Sequence, residues 1–337
     1  MTTENRQWLI AERPTGRPLQ ESDFKLTSLP LRQPAKGEVL LRSLYLSFDP
    51  AQKGWMENIG GYVAPTEIGD VMRGYGLAQV IASQSPRLAA GDLVAGFIGW
   101  QEYPTLQASE LEKLEKDGML TANASVLGLT GLTAYFGLFD IGQPRAGDVL
   151  VVSGAAGATG SVVGQLGKIA GCRVVGIAGG AEKCAWLVKD CGFDAAIDYK
   201  GEDVQSRLKQ LCPDGIDVFY DNVGGKILNV ALGRLALGAR VVICGGISRY
   251  ELGKMPAGPE NYFNLIFKRA SMRGFIVLDY AAQYAAARKR LRAWIASGQL
   301  TYKEDIQEGF EKAPQSLMRL FTGRNFGKQM LKLADPD

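Results

Sequence analysis

The sequence predicts an α/β protein whose central part folds as a doubly wound parallel sheet. Between residues 147 and 278, short apolar runs alternate with stretches of helical pattern, which is typical of strands that helices cover on both faces. Right-handed crossovers then place helices on both sides of the sheet. Before it, residues 1–127 show interrupted alternation bounded by Gly, Pro and Asp, which favours a mostly antiparallel unit. A chain of 337 residues is long enough for two domains.

The elements of the central part can be assigned in order along the chain. The predicted strands are 149–153, 173–177, 195–198, 218–221, 240–244 and a strand that ends with the residues FIVL at 275–278. The predicted helices between them are 161–171, 182–191, 203–211 and 226–235. In the first part, strands are predicted within 37–49, 70–83 and 91–103, with a solvated turn or short helix at 109–117. After Gly298, the pattern predicts a strand and an amphipathic helix within 303–323 and a final strand within 325–333, returning to the first domain.

The composition indicates a small-molecule partner. The 38 basic and 35 acidic residues give a formal charge of +3 that is spread along the chain, so no basic patch for nucleic acid or for a membrane surface is evident. No apolar run approaches the roughly 18 residues of a membrane-spanning helix. The polar N-terminus lacks a signal-peptide pattern, and the five cysteines show no C-x-x-C spacing. We therefore expect a cytoplasmic protein with reduced thiols.

Histidine is absent from the chain. Its absence excludes Ser-His-Asp and Cys-His nucleophile systems and removes the usual zinc ligand. Because no cysteine precedes Cys172, a Cys/His zinc site cannot form in the first domain, and we expect no metal. Tyr, Lys, Ser, carboxylates and backbone donors remain as the available chemistry.

A glycine-rich turn, residues 154–160, joins the first predicted strand of the parallel sheet to a helix. A pyrophosphate can bind to the exposed backbone N–H groups at such a helix end. The first glycine of the G-x-G-x-x-G pattern is Ala155 here, and glycines also close turns for steric reasons. By itself, the segment leaves a nucleotide site and a structural turn open.

The end of the second strand favours NADP. An NAD site places an Asp or Glu there, about 20 residues after the glycine turn, whereas residues 178–180 are Ala-Gly-Gly and are followed by Lys183. A cation without a nearby carboxylate suits a 2′-phosphate. Tyr199 and Asn222 also follow predicted strands and are candidates for the phosphate end and the nicotinamide ribose. The alternatives are a solvated Lys183, a Tyr199 that covers a loop, and turn chemistry at Asn222.

The chain resembles the zinc-independent medium-chain dehydrogenases/reductases, in particular the NADPH-dependent alkenal and enone reductases of the prostaglandin reductase and curcumin reductase group. The resemblance is carried by LSFDPAQKGWM (46–56), GDLVAGFIGWQEY (91–103), LGLTGLTAYFGL (127–138), residues 153–183, YDNVGG (220–225), CGGISRY (244–250), GPENYFNLIFKRASMRGF (258–275) and NFGKQMLKL (325–333). It implies a GroES-like catalytic domain formed by residues 1–127 and 301–337. It also implies an inserted Rossmann NADP-binding domain at 128–300, an active site in the cleft and a homodimer joined through the Rossmann sheets, with 275–278 at the edge.

The resemblance further implies which residues bind NADPH. They are Gly157, Ala158, Thr159, Gly160, Lys183, Tyr199, Asn222, Cys244, Gly245, Gly246, Ile247, Ser248, Tyr250, Phe275, Ile276, Val277 and Asn325. One departure concerns the substrate, because relatives usually read D-P-Y-M-R where this chain has Asp-Pro-Ala-Gln-Lys at 49–53. Trp55 and Tyr62 are candidates to fill the space left at Ala51, with a buried structural aromatic as the alternative for each. Tyr262 is a candidate on a loop over the cleft, where an ordinary surface loop has the same pattern.

The expected reaction is the NADPH-dependent reduction of the C=C bond of α,β-unsaturated ketones and aldehydes. Hydride transfer to the β-carbon needs only a hydrogen-bond donor for the carbonyl oxygen and a proton source. Tyr250 is the candidate for that donor, because a phenol keeps its proton at neutral pH; the alternative is a loop tyrosine that packs on the cofactor. Other functions that fit the sequence are a quinone reductase of the same superfamily and an NADPH-binding protein without turnover.

Overall fold

The structure is a computed structural model that describes residues 3–57, 63–64, 66–250 and 257–337. The chain forms two compact units. One unit contains Met1–Ser125 and Glu304–Asp337, and the other contains Val126–Lys303. No helix among the described residues is long and apolar enough to cross a membrane.

The first unit is mostly β. Before the second unit its elements are β1 (Glu4–Ile10), β2 (Phe24–Pro30), β3 (Glu38–Ser47), α1 (Ala51–Glu57), β4 (Gly76–Ser83), β5 (Leu93–Gly96), β6 (Thr105–Gln107) and β7 (Glu112–Lys113). β1 and β2 pair as an antiparallel ribbon. β3, β4, β5 and β7 form consecutive antiparallel pairs, and β6 also pairs with β3. The predicted mostly antiparallel unit is confirmed.

The second unit alternates strands and helices. Its elements are α2 (Leu129–Phe136), β8 (Val149–Ser153), α3 (Ala158–Ile169), β9 (Arg173–Ala178), α4 (Ala181–Lys189), β10 (Ala195–Asp198), α5 (Val204–Leu211), β11 (Ile216–Asp221), α6 (Gly225–Leu232), β12 (Leu235–Ile243), α7 (Asn264–Phe267), β13 (Ser271–Gly274) and α8 (Tyr284–Ala296). All neighbouring strands are parallel, in the order β10-β9-β8-β11-β12-β13. This order reverses at β8, as in the doubly wound dinucleotide-binding fold, and confirms the predicted fold class.

The chain then returns to the first unit. Its last elements are β14 (Glu304–Glu308), α9 (Ala313–Phe321) and β15 (Lys328–Lys332). β15 pairs with β3 in antiparallel fashion and with β14 in parallel, so the C-terminal residues complete the sheet that the N-terminal residues begin. The predicted final strand therefore joins the first unit.

Several predicted boundaries differ from the structure; β12, for example, begins at Leu235 rather than at residue 240. α3 begins at Ala158 rather than at residue 161, because Gly157 already takes the N-cap position. The prediction of a strand at 275–278 is wrong: the strand is Ser271–Gly274, and a 3-10 helix begins at Val277. Val277 is apolar because it packs with Leu132 and Phe136, not because it lies in the sheet.

Candidate functional site

The turn after β8 brings a helix end close to the sheet edge. Gly154 adopts a left-handed φ of 58°, and its carbonyl accepts the N–H of Gly157 at 3.0 Å. Gly157 is the N-cap of α3 and has no side chain to cap it. The N–H groups of Ala158 to Gly160 therefore have no acceptor within the helix. They carry the positive end of the helix dipole and form a place for an anion.

Gly160 is needed for this close approach. A Cβ at Gly160 would lie 2.4 Å from the carbonyl oxygen of Gly154 and 2.8 Å from the Cα of Ala155. One turn later, a Cβ at Gly164 would lie 1.9 Å from the ring of Phe193. The missing side chains let α3 lie directly against the turn and the sheet. A methyl group at either glycine would prevent this packing.

The structure explains how Ala155 replaces a motif glycine. The left-handed conformation in this turn falls on Gly154, and Ala155 does not have a positive φ. The methyl group of Ala155 points toward the neighbouring strand, where a Cβ at Gly176 would be 3.0 Å away. Because position 176 has no side chain, the alanine fits. The departure from the glycine pattern is thus compatible with the turn.

A buried polar network joins the ends of β8 and β11. The hydroxyl of Ser153 donates to Oδ1 of Asp221 at 2.7 Å and accepts the N–H of Asn222 at 2.9 Å. Nδ2 of Asn222 donates to the carbonyl of Ser153 at 2.7 Å. Among the described residues, nothing donates a hydrogen bond to Oδ1 of Asn222, which leaves this atom for a ligand. The side chain of Asn222 is therefore held in place by β8.

Asp221 also holds the loops that follow β11 and β12. Its carboxylate accepts the N–H groups of Val223 and Gly224, each at 3.0 Å. Its carbonyl accepts the N–H groups of Cys244 at 2.9 Å and Gly245 at 3.1 Å, which belong to the loop after β12. Burial raises the pKa of Asp221, and the hydrogen bonds from Ser153 and the loop act against that shift. Asp221 thus connects three strand ends: its carboxylate bonds to residues that end β8 and follow β11, and its carbonyl bonds to residues that follow β12.

The loop after β12 carries Tyr250. The N–H of Ile247 donates to the carbonyl of Asn222 at 3.3 Å, and Ser248 donates to the carbonyl of Val223 through both its N–H and its hydroxyl, at 3.1 and 2.7 Å. Tyr250 follows the 3-10 helix Ile247–Arg249 and is half-buried. The described loop therefore extends across the end of β11.

Cys244, in the same loop, carries an unreactive thiol. Its thiol lies beside the hydroxyl of Tyr220, which donates to the carbonyl of Thr133 at 2.9 Å. Burial raises the pKa of Cys244 to about 12. The contribution of this residue to a ligand site is therefore its backbone, because the sulfur stays protonated at neutral pH.

The residues that end β9 carry no acidic side chain of their own. Ala178 is followed by two glycines, and the ring of Tyr199 covers Gly179 so closely that a Cβ there would lie 2.9 Å from it. Tyr199 is 47 % exposed. Lys183 lies in the first turn of α4. The neighbouring acid is Asp198, whose Oδ1 accepts the N–H groups of Gly180 at 2.7 Å and Lys200 at 3.0 Å.

The segment after β13 is held by α2 and the residues that follow it. A Cβ at Gly137 would lie 2.4 Å from the hydroxyl of Tyr220 and 2.5 Å from the ring of Phe275. This glycine lets Phe275 pack over the end of β11. Ile276 and Val277 follow directly and are half-buried.

The remaining predicted residues lie elsewhere in the chain. In the first unit, Asn325 donates to the carbonyl of Gly327 at 3.0 Å. Trp55 lies one helical turn after Ala51 in α1. In the second unit, Tyr262 is 53 % exposed and lies edge-on to Phe263. Tyr62 lies outside the described residues.

Three residues that sequence analysis did not single out organise this site. Ser153, Asp198 and Asp221 each occupy the last position of a parallel strand, and each accepts backbone N–H groups from a neighbouring loop. The signal for them is a polar residue at the end of an apolar run. Their side chains bring the strand ends together, so that the predicted residues at 157–160, 183, 199, 222, 244–250 and 275–277 all follow the carboxyl edge of one sheet.

The donor set does not fit a catalytic zinc ion. The chain has no histidine. Nowhere in the described ranges do three or more Cys, Asp or Glu side chains come together in a group able to hold a metal.

Comparisons with known proteins agree with this geometry. Residues 6–114 match the family model for an N-terminal domain of oxidoreductases, and residues 158–293 match the model described as zinc-binding dehydrogenase. The chain is 44 % identical to a putative NADP-dependent oxidoreductase, YfmJ, of Bacillus subtilis, over 100 % of both chains. It is 40 % identical to the NADPH-dependent curcumin reductase of Escherichia coli, over 99 % of this chain and 98 % of the relative.

A solved structure shows the same fold. The crystal structure of CurA from Vibrio vulnificus in complex with NADPH superimposes with a TM-score of 0.94 at 41 % identity, covering 98 % of this chain and 100 % of that one. Similarity of this extent covers both compact units. The chain is an oxidoreductase that belongs to the medium-chain dehydrogenase/reductase family, in the group that contains the curcumin reductases.

Proposed function

We propose that this protein reduces the C=C bond of α,β-unsaturated ketones and aldehydes with NADPH. The observation that carries the choice of cofactor is the end of β9, where Ala178 and two glycines replace the acid of an NAD site and Lys183 follows in α4. A carboxylate at that position would repel a 2′-phosphate, and an ammonium group attracts it. The names of the curcumin reductase and of the NADPH complex support the same cofactor.

The residues around the strand ends suit the parts of this cofactor. The N–H groups at the start of α3 would hold the pyrophosphate, and Lys183 with Tyr199 would hold the 2′-phosphate. Oδ1 of Asn222, the backbone at 244–248 and the segment 275–277 would line the nicotinamide end, with Asn325 as a further contact. When bound, NADPH supplies the hydride that reduces the β-carbon.

Tyr250 is our candidate catalytic residue. Its loop is held by hydrogen bonds to Asn222 and Val223, so its backbone position is fixed by the same network that holds the end of β11. A phenol donates a hydrogen bond to the substrate carbonyl oxygen and stabilises the negative charge that collects there on reduction. This polarisation needs no metal, and we propose a zinc-independent reaction.

The substrate contacts are proposed on α1 and near α7. Ala51 and Trp55 lie one turn apart on α1, so the space left by the small residue lies beside the indole ring. Trp55 contacts the ring of Phe97 edge-on at 6.1 Å, and the guanidinium of Arg73 lies 6.0 Å from its ring centroid. This aromatic surface suits a flat, conjugated substrate. Tyr62 and Tyr262 remain further candidates.

We also propose a cytoplasmic homodimer. The edge strand β13 is exposed along all four residues and pairs on one side with β12. Ile266 and Phe267 in the preceding helix are 64 % and 65 % exposed. An unpaired edge beside exposed apolar side chains is stabilised when a second copy pairs with it. Light scattering of the purified protein tests this proposal: we expect the mass of two chains, and the mass of one chain would contradict it. The division of the chain after Ser125 and Lys303 supports a catalytic domain of residues 1–127 and 301–337 around a cofactor domain of residues 128–300.

The activity is tested by following NADPH oxidation with an enone, with a quinone and with no acceptor. We expect oxidation with the enone and a product whose mass is that of the substrate plus two hydrogens. Oxidation with the quinone alone would instead identify a quinone reductase. NADPH binding without oxidation in any of the three assays would identify a binding protein.

A further inference from the structure

The carboxylate of Asp198 joins two loops at the edge of the parallel sheet. Its Oδ1 accepts the N–H of Gly180, at the start of α4, at 2.7 Å. The same oxygen accepts the N–H of Lys200, in the loop after β10, at 3.0 Å. Two backbone segments that are not adjacent in the sequence therefore donate hydrogen bonds to the same oxygen atom.

The side chains proposed to hold a 2′-phosphate lie on these two segments. Lys183 is in the first turn of α4, which begins directly after Gly180. Tyr199 lies between Asp198 and Lys200; its N–H donates to the carbonyl of Ala178 at 3.1 Å, and its ring covers Gly179. The hydrogen bonds that Asp198 accepts thus contribute to the relative position of Lys183 and Tyr199, together with the contacts of Tyr199 with Ala178 and Gly179.

The carboxylate of Asp198 accepts hydrogen bonds from both of these segments. The hydrogen bond from Gly180, followed by that from Lys200, lowers the pKa of Asp198, so the group is ionised at neutral pH. The next acid along the chain, Glu202, accepts the N–H of Asp198 at 2.8 Å and forms an ion pair with Arg207 at 2.8 Å. Both carboxylates are engaged by protein donors, which reduces their repulsion of a nearby anion.

We propose that Asp198 is a positioning residue that gives the site its preference for NADPH over NADH. It acts by holding the start of α4 and the Tyr199 loop at the spacing that a 2′-phosphate requires, and it makes no contact with the nucleotide itself. The inference rests on the proposed 2′-phosphate site. In an NAD site the acid that bonds to the ribose stands at the end of the second strand, which is β9 here, whereas Asp198 ends β10 and its carboxylate accepts backbone N–H groups.

The test compares two substitutions. Asp198→Ala removes the acceptor and frees both loops, and Asp198→Asn keeps an oxygen acceptor but removes the charge. Asp203→Ala is the matched control, because Asp203 also accepts a backbone N–H, that of Ser206, at the N-cap of α5. Dissociation constants for NADPH, NADH and adenosine 2′,5′-bisphosphate are measured by fluorescence or calorimetric titration, with circular dichroism as a check on folding.

We expect Asp198→Ala to weaken NADPH and the bisphosphate about tenfold or more, with NADH changed by less than about threefold. Asp198→Asn should keep the preference for NADPH within about threefold of the wild type, and Asp203→Ala should leave it unchanged. Equal losses for NADPH and NADH in Asp198→Ala would overturn the proposal. A loss of preference in Asp198→Asn as large as in Asp198→Ala would also overturn it. The preference for NADPH would then depend on the charge of Asp198 and not on the spacing of the two loops.

These binding measurements are independent of turnover. A wild-type protein that prefers NADPH but reduces no enone would contradict the proposed reaction and leave the role of Asp198 measurable. A wild-type protein that binds both dinucleotides equally would overturn the 2′-phosphate site and the role of Asp198 together.

Discussion

Ser153 and Asp221 form a buried hydrogen bond of 2.7 Å between the ends of β8 and β11. Both side chains are almost completely inaccessible to solvent. The hydroxyl that donates to Asp221 also accepts the N–H of Asn222. Because the glycine turn follows β8 and the Asn222 loop follows β11, this one hydroxyl sets the distance between two segments of the proposed cofactor site.

Replacing Ser153 with Ala should destabilise the protein and weaken cofactor binding. The change removes the hydroxyl donor of the buried carboxylate, which keeps only the N–H groups of Val223 and Gly224, and it leaves the N–H of Asn222 without that acceptor. We expect a loss of about 1–3 kcal/mol of the free energy of unfolding. Urea unfolding with and without NADPH measures both effects. The exposed Ser297 at the end of α8 is the control, and Ser297→Ala should change stability by about 0.5 kcal/mol or less. Equal effects at the two serines would contradict the role given to the network.

The buried carboxyl of Asp221 should produce a specific dependence of stability on pH. Burial raises its pKa above the ordinary value of 3.8, so the folded protein holds this proton more tightly than the unfolded chain. Its contribution to the free energy of unfolding is therefore fully present below that ordinary value and is lost as pH rises through the raised pKa. We expect the difference in the free energy of unfolding between the wild type and Asp221→Asn to decrease as the pH rises over this range. Urea unfolding at each pH measures it. A difference that stays constant or increases with rising pH would contradict this assignment.

Much of the fold can be predicted from the sequence because buried parallel strands are continuous apolar runs. β8, β9 and β11 are of this kind, and nearly every residue in them is buried. β13 cannot be found in this way, because its residues Ser-Met-Arg-Gly are all exposed at the edge of the sheet. The apolar FIVL segment that follows suggests a strand, but Val277 instead packs with residues of α2 and α8.

The sequence predicts where the residues of the candidate site lie, but it does not predict which side chains hold the surrounding loops in place. The positions after each strand follow from the general rule that ligands lie beyond the carboxyl ends of parallel strands. The roles of Asp198 and Asp221 depend in part on donors that lie far away in the sequence: the N–H of Gly180 for the carboxylate of Asp198, and the hydroxyl of Ser153 for that of Asp221. Ala155 illustrates the same limit, because its fit depends on the absence of a side chain at Gly176.

Lys183→Ala should weaken NADPH much more than NADH. The lost contact is a charge-assisted hydrogen bond to the 2′-phosphate, so we expect a loss of about 1–3 kcal/mol for NADPH and little change for NADH. Titration of the purified variant with each dinucleotide gives the two values. Lys189→Ala, at the other end of α4, is the matched control and should leave both affinities unchanged. Equal losses for the two dinucleotides in Lys183→Ala would remove this residue from the 2′-phosphate site.

Tyr250→Phe should lower turnover without changing NADPH affinity. The phenyl ring preserves packing in the loop after β12, while the donor for the substrate oxygen is lost, which we expect to reduce kcat about 100-fold. Steady-state kinetics with an enone and titration with NADPH separate the two quantities. Tyr103→Phe, in the first unit, should behave as the wild type. Unchanged turnover in Tyr250→Phe would exclude the residue from the reaction.

The five cysteines should resist alkylation by the proposed substrates, which are themselves thiol-reactive electrophiles. Burial is the main cause that raises the thiol pKa at every position: to about 11 at Cys172 and Cys184, to about 12 at Cys191 and Cys244, and above the ordinary value at Cys212. Since the thiolate is the nucleophile, each thiol is almost entirely in its unreactive form at neutral pH.

We therefore expect no adduct on the folded protein after incubation with an excess of a simple enone in the absence of NADPH, as measured by intact-mass spectrometry. The same protein unfolded in urea should gain up to five adducts, because unfolding removes the burial that suppresses ionisation. Rapid labelling of Cys184 or Cys244 in the folded state would show that their surroundings open to the reagent. Slow labelling of both states would instead indicate an enone too weak to report on thiol ionisation, and glutathione in the same solution controls for that.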